Sequence, residues 1–224
     1  MKENLYQIRG TKVKTLYPTK LTTAECRLVF SLQRLFQPEH ILADLYLPKP
    51  TSNPTTKIDQ NLFITASSLL QIDCIAINHC GIFVFESKDY AGWIYGHGNR
   101  IHWTQVLNYG KDKHQFYNPV KQNASHVKVL KDLFSTNIPI YSVIVFGREA
   151  TLKVLTDIPD HCRVCTQSNI STTINSLTQI HPNAINAQEI AYAYALIQQD
   201  QIDPTAIIRT EHIDEVQNVQ HLRP

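Results

Sequence analysis

QIDCIAINHCGIFVFESKDYAG, residues 71–92, reads as a β-hairpin. Leu69 to Ile77 is a run of strand formers, Asn78-His79-Cys80-Gly81 has turn chemistry, and Ile82 to Lys88 is a second run. Side chains alternate faces along a strand, so Glu86 and Lys88 share a face with Ile82 and Val84, opposite Phe83, Phe85 and Ser87. A strand apolar on both faces belongs in the middle of a sheet. An acid and a lysine at its end are costly to bury without partners. With the turn at 78–81, Asp73 lies opposite Glu86, because 78−73 and 86−81 are both five. Two carboxylates and an ammonium group then converge, and a divalent cation is the natural compensation for the paired acids. The plainer alternative is that Glu86 and Lys88 flank a strand end and face water. The acid at matching register on the neighbouring strand argues for a site.

Working outward, the chain has 224 residues, enough for one good-sized domain or for one domain with an extension. Its 43% hydrophobic and 18% charged content excludes a disordered chain. A net charge of +2 does not announce a nucleic-acid binder, yet leaves room for a local basic groove. Five cysteines at irregular spacing suggest free thiols in a reducing compartment. Cys162-Arg163-Val164-Cys165, even with His161 beside it, falls short of a four-ligand zinc site. The first residues hold no apolar signal region and no run approaches ~18 apolar residues, so the expectation is a soluble, cytoplasmic protein without a membrane partner.

Residues 1–20 are basic and read as an N-terminal arm. Thr22 to Phe36 reads as a helix, with Thr22 and Glu25 spaced as a capping box and an apolar stripe of Leu28, Val29, Leu32, Leu35 and Phe36. Glu25 falls near the middle of that stripe and points inward. It is either a cap or a third carboxylate aimed at Asp73 and Glu86; one side chain could serve both. Ile41 to Leu47 alternates as a strand, and a loop rich in Pro, Ser and Thr follows, with 62–64 as a possible edge strand. Beyond the hairpin, Trp93–Tyr95 and Ile101–Val106 flank a Gly-rich turn as a second hairpin. Residues 107–117 (LNYGKDKHQFY) read as a polar loop. Asn118-Pro119 starts a helix to about Phe134, with Val120, Ala124, Val127, Leu130 and Phe134 as its stripe. Gln122 and His126, four apart, are neighbours on its polar flank. Ile140–Phe146 reads as a buried strand, Lys153–Leu155 and Arg163–Cys165 as short strands, and about 170–179 and 187–198 as helices. The order implies an α/β architecture with a mixed central sheet flanked by helices.

These pieces resemble the NERD (nuclease-related domain) family, itself similar to PD-(D/E)xK nucleases. The matching segments are Glu25, LADLYLP (42–48), QID (71–73), GIFVFESK (81–88), DYAGWIYG (89–96), Trp103-Thr104-Gln105 and NPVKQNASH (118–126), spanning roughly residues 22–146. Cys74 stands where the family commonly has His, and Ser87 where it has Thr; the linker at 49–68 is longer than usual. The resemblance implies a restriction-endonuclease-like αβββαβ core over 21–147, with a C-terminal α/β extension at 148–202 packed on it and a tail at 203–224. It implies Mg²⁺- or Mn²⁺-dependent hydrolysis of nucleic-acid phosphodiesters, DNA ahead of RNA. Asp73, Glu86 and the Ser87 carbonyl would bind the metal, with Glu25 as a further ligand, direct or through water. Lys88 would orient the attacking water, and Gln122 would sit near phosphate or water. Lys111, Lys113, His114 and His126 are the candidate nucleic-acid contacts. The competing function is a non-catalytic nucleic-acid-binding or sensor module on the same fold.

Overall fold

A computed structural model describes residues 4–8, 11–15, 21–49, 69–134 and 137–202. The elements are β1 (Asn4–Ile8), β2 (Thr11–Thr15), α1 (Thr23–Leu32), β3 (Ile41–Pro48), β4 (Leu69–Asn78), β5 (Gly81–Lys88), β6 (Gly92–His97), β7 (His102–Leu107), β8 (Asp112–Tyr117), α2 (Pro119–Leu133), β9 (Ile140–Phe146), β10 (Ala150–Thr156), β11 (Cys162–Thr166), α3 (Ile170–Thr178) and α4 (Ala187–Gln199). The fold is mixed α/β, compatible with a restriction-endonuclease-like fold, and α1, β3–β5, α2 and β9 supply the αβββαβ core. The large sheet runs β1-β2-β3-β4-β5-β9-β11, and a second sheet runs β10-β6-β7-β8.

The hairpin at 71–92 holds the centre. Asn78 pairs with Gly81, Ile77 with Ile82 and Cys74 with Phe85, which is the register set by a turn at 78–81. Phe83, Phe85, Cys74 and Ala76 pack with Leu28 and Leu32 of α1 and Ile174 and Leu177 of α3. On the other face Val84, Ile82, Ile75 and Ile77 pack with Val127 and Leu130 of α2 and Ile190 and Ile197 of α4. Each fully buried aliphatic or Phe side chain removes enough apolar surface from water to contribute ~1.5–3 kcal/mol. The β5 sequence, apolar on both sides, is explained by this three-layer sandwich. A third cluster, with Trp103, Ile144, Phe146 and Val120, joins the second sheet to the end of β9.

Several elements differ from the sequence expectation. The segment read as an arm supplies β1 and β2, and β2 joins β3 through Thr15 and Ala43. Residues 62–64 and the 203–224 tail lie outside the described residues. Regular helix in α1 stops at Leu32, and the chain turns through Phe36, whose amide bonds to the Leu32 carbonyl. The polar loop at 107–117 is instead a turn and the strand β8, which pairs with β7 from His102–Tyr117 to Leu107–Asp112. In α2, Ala124 is exposed, while Asn123 and His126 are buried. The segment after Gly147 does more than pack on the core: β10 lines up parallel to β6, and β11 parallel to β9. Cys162 and Cys165 enter different clusters on the two faces of β11, as residues three apart on a strand must, so they cannot share an ion. Among the described residues no helix is long and apolar enough to cross a membrane.

Candidate active site

The site forms where β4 and β5 leave the apolar part of the sheet. The β4–β5 ladder ends at Cys74–Phe85, and Asp73 and Glu86 are the next residue of each strand beyond it. The Ser87 amide donates to Asp73 Oδ2 at 2.7 Å. Lys88 Nζ stands 2.6 Å from Glu86 Oε1 and donates to Gln122 Oε1 at 3.0 Å. Parallel pairing with β9 fixes this end of the strand, with Glu86 beside Ile144 and Lys88 beside Phe146.

Two buried asparagines place α2 over the site. Asn118 caps the helix by accepting from the Val120 amide at 2.9 Å. Its Nδ2 donates to the carbonyls of His97, Gly98 and Arg100, tying the helix start to the β6–β7 turn. Asn123 Nδ2 donates to the Val84 carbonyl at 2.9 Å and to Ser142 Oγ at 2.8 Å, bolting α2 to β5 and β9. Gln122, the preceding residue, is thereby held against Lys88. His126 Nδ1 stands 3.0 Å from Asn123 Oδ1 and 3.7 Å from Glu86 Oε2. Burial first, and Lys88 second, push the imidazole down to about 4. It is neutral near pH 7, so its approach to Glu86 is not an ion pair, and 3.7 Å is too long for a hydrogen bond.

The carboxylates are under strain of a different kind. Burial, then repulsion from Glu86, pushes Asp73 up to about 7, against the opposing pull of the Ser87 amide. Burial also raises Glu86, although Lys88 pulls the other way. Glu86 is 1% exposed, and its Oε2 has no hydrogen-bond partner. Buried acceptors are normally satisfied, so this oxygen is an exception to the rule. Glu25 closes a capping box: its carboxylate accepts from the Thr22 amide at 2.6 Å and its amide donates to Thr22 Oγ1 at 3.3 Å. Its charge makes a smaller contribution to the rise of both Asp73 and Glu86. Among the described residues no three His, Cys, Asp or Glu side chains come close enough to make a ready metal cage.

Residues 20–147 match the nuclease-related domain family. The chain belongs to that family. An uncharacterized protein of Bacillus anthracis is 32% identical over 127 residues, which cover 57% of this chain and 58% of that relative. The match thus spans under two thirds of the relative's length. No solved structure matches the chain significantly.

Within this NERD chain the structure gathers Asp73, Glu86, Lys88 and Gln122 at one point, while the hydrogen bonds of Glu25 go to its helix cap at Thr22. Cys74 faces the opposite core, away from Asp73. His126, expected at a polar flank in reach of nucleic acid, is 2% exposed and turned towards Asn123 and Glu86 instead. Lys111, Lys113 and His114 are exposed, at the start of and along the edge strand β8. Sequence reasoning missed Asn123, Ser142 and Asp44. Asp44 is buried at φ 55, accepts from Gln71 Nε2 at 2.8 Å, and lies within electrostatic reach of Glu25. The one advance signal was Asn123 inside the helical stripe, a polar residue where an apolar one fits.

Proposed function

We propose that this chain is a divalent-metal-dependent nuclease that hydrolyses nucleic-acid phosphodiesters, with DNA ahead of RNA. The observation that carries the reading is the buried, unpartnered Glu86 Oε2 beside an Asp73 whose proton affinity is raised. That is the electrostatic state of paired acids awaiting a cation. Hard oxygen donors of this kind suit Mg²⁺ or Mn²⁺. Asp73, Glu86 and the Ser87 carbonyl would hold the ion, with Glu25 in support. Bound there, it would acidify a water and offset phosphate charge. Lys88 presents its ammonium to the attacking water and to the charge growing on the phosphorus oxygens, while the sugar oxygen leaves. Gln122, accepting from Lys88, fixes where that ammonium points. Family membership supports a nuclease-related role.

The test is incubation with plasmid, linear and single-stranded DNA and with RNA, in Mg²⁺, in Mn²⁺ and in EDTA. Cleavage that EDTA abolishes is the expected result. No cleavage under any condition would favour the non-catalytic binding module. Calorimetric titration with Mn²⁺ should show binding to the native chain and a loss of more than about tenfold in Asp73→Ala, which removes a ligand outright. Equal affinity in both would move the metal elsewhere.

The exposed Lys111 and Lys113 supply the phosphate contacts in this reading. Each phosphate contact on duplex DNA contributes about −0.9 to the log–log salt slope. Replacing both lysines by alanine should flatten the slope by up to about 1.8. An unchanged slope would mean that these lysines only keep the surface soluble.

A further inference from the structure

The hairpin of β7 and β8 ends in a tip unlike any other turn among the described residues. Asn108, Tyr109 and Gly110 carry φ of 49, 54 and 100, three left-handed residues in succession. Left-handed backbone costs a residue with a Cβ roughly 1–2 kcal/mol, and a bulky aromatic is unusual there. The Tyr109 side chain gains no packing in return, because it is 95% exposed. Such a conformation persists where the surroundings dictate it, and here the Asn108 side chain bonds to the Asp112 carboxylate across the turn. Lys111 and Lys113, which follow the ring in sequence, are exposed.

The tip is anchored to the chain that leaves the candidate active site. Gln105 Nε2 donates to the Ala91 carbonyl at 2.8 Å. Gly92 lies so close to β7 that a Cβ there would stand 2.5 Å from the Val106 carbonyl. Ala91 and Gly92 follow Lys88 by three and four residues. Trp93 pairs with Val106, and the tip begins two residues further along. The tip therefore belongs to the Lys88 end of the second sheet and not to its far end.

We infer that Tyr109 is a base-stacking site for an unpaired nucleotide of the substrate, which makes single-stranded or end-frayed nucleic acid the favoured substrate class. This rests on the nucleic-acid reading above. Bases inside a duplex have both faces covered by their neighbours, whereas an unpaired base offers a free face to an aromatic ring. The exposed Lys111 and Lys113 that follow in sequence suit the phosphates of such a strand. The shape also suits the role: an exposed ring can meet a base without reading its edges, so stacking here is tolerant of sequence.

Fluorescence anisotropy in EDTA, with a labelled single-stranded 20-mer and the blunt duplex of the same sequence, tests the inference. Tyr109→Ala should weaken single-strand binding by about tenfold or more and leave duplex binding within about twofold. Tyr109→Trp should keep or strengthen single-strand binding. Lys111→Ala should weaken both forms alike, as a phosphate contact does. Unchanged single-strand binding in Tyr109→Ala, or an equal loss on both forms, would overturn the stacking site while leaving the nucleic-acid reading intact. Failure of the native chain to bind either form would instead remove that reading, and the stacking site with it. Tyr109 touches no core residue, so unfolding is not a competing outcome; circular dichroism verifies this.

Discussion

Lys88→Ala should cleave nucleic acid ~10²–10³-fold more slowly than the native chain while binding it almost unchanged. In the proposed mechanism the lysine serves the reaction and not affinity, its ammonium being held between Glu86 Oε1 and Gln122 Oε1. Metal affinity should not fall, since the acids keep their charge and lose a competing cation. Asp73→Ala should lose metal and cleavage together, which separates the two roles. Breaking a buried ion pair by removing one partner can cost ~3–5 kcal/mol, so circular dichroism must first show a folded variant. A folded Lys88→Ala protein that cleaves at the native rate would end the catalytic assignment of this residue.

The largest effect on stability is expected at Gly81. Its φ is 133, and a Cβ built there would stand 2.3 Å from the Pro139 carbonyl oxygen. That carbonyl also accepts from the Ile82 amide at 2.9 Å, the bond that docks the start of β9 on the hairpin. Gly81→Ala thus strains the turn and pushes β9 away from β5. Adding the left-handed penalty to an overpacking cost gives ~2–4 kcal/mol. For a chain of this size that lowers the melting temperature by ~5–15 °C. A melt within a degree or two of the native value would mean that the turn relaxes freely. Gly92→Ala, which would press on the Val106 carbonyl in the second sheet, gives a comparison outside the central hairpin.

The parts of the fold legible in the sequence were those written in local chemistry. The turn at Asn78–Gly81 set the register that brings Asp73 to Glu86, and the Asn118-Pro119 pair marked the start of α2. Thr22 and Glu25 form the capping box that their spacing announces. β8 was not legible because an edge strand with exposed Lys, His and Gln has no apolar alternation to display. Asn123 and His126 failed for the opposite reason. A polar residue on a helix looks solvated until a partner is known, and their partners, Ser142, Val84 and Glu86, come from β5 and β9. The left-handed residue Asp44 sits inside a strand sequence that reads as regular alternation, so the sequence pattern did not reveal it.

The candidate site is also a problem in timing. The hairpin carrying Asp73, Glu86 and Lys88 is local and can close early, since short loops close in well under a microsecond to microseconds. Its other walls come from far along the chain: Gln122 is 34 residues from Lys88, and Ile144, alongside Glu86, arrives later still. Between them the chain must first lay down β6, β7 and β8. A partly made chain, emerging from synthesis in order, therefore owns the acids and the lysine before it owns the roof that orients them. Under the proposed function, activity would wait for completion of the parallel β5–β9 pair, so a nascent or truncated chain that ends before Phe146 should be inert however well its hairpin has formed.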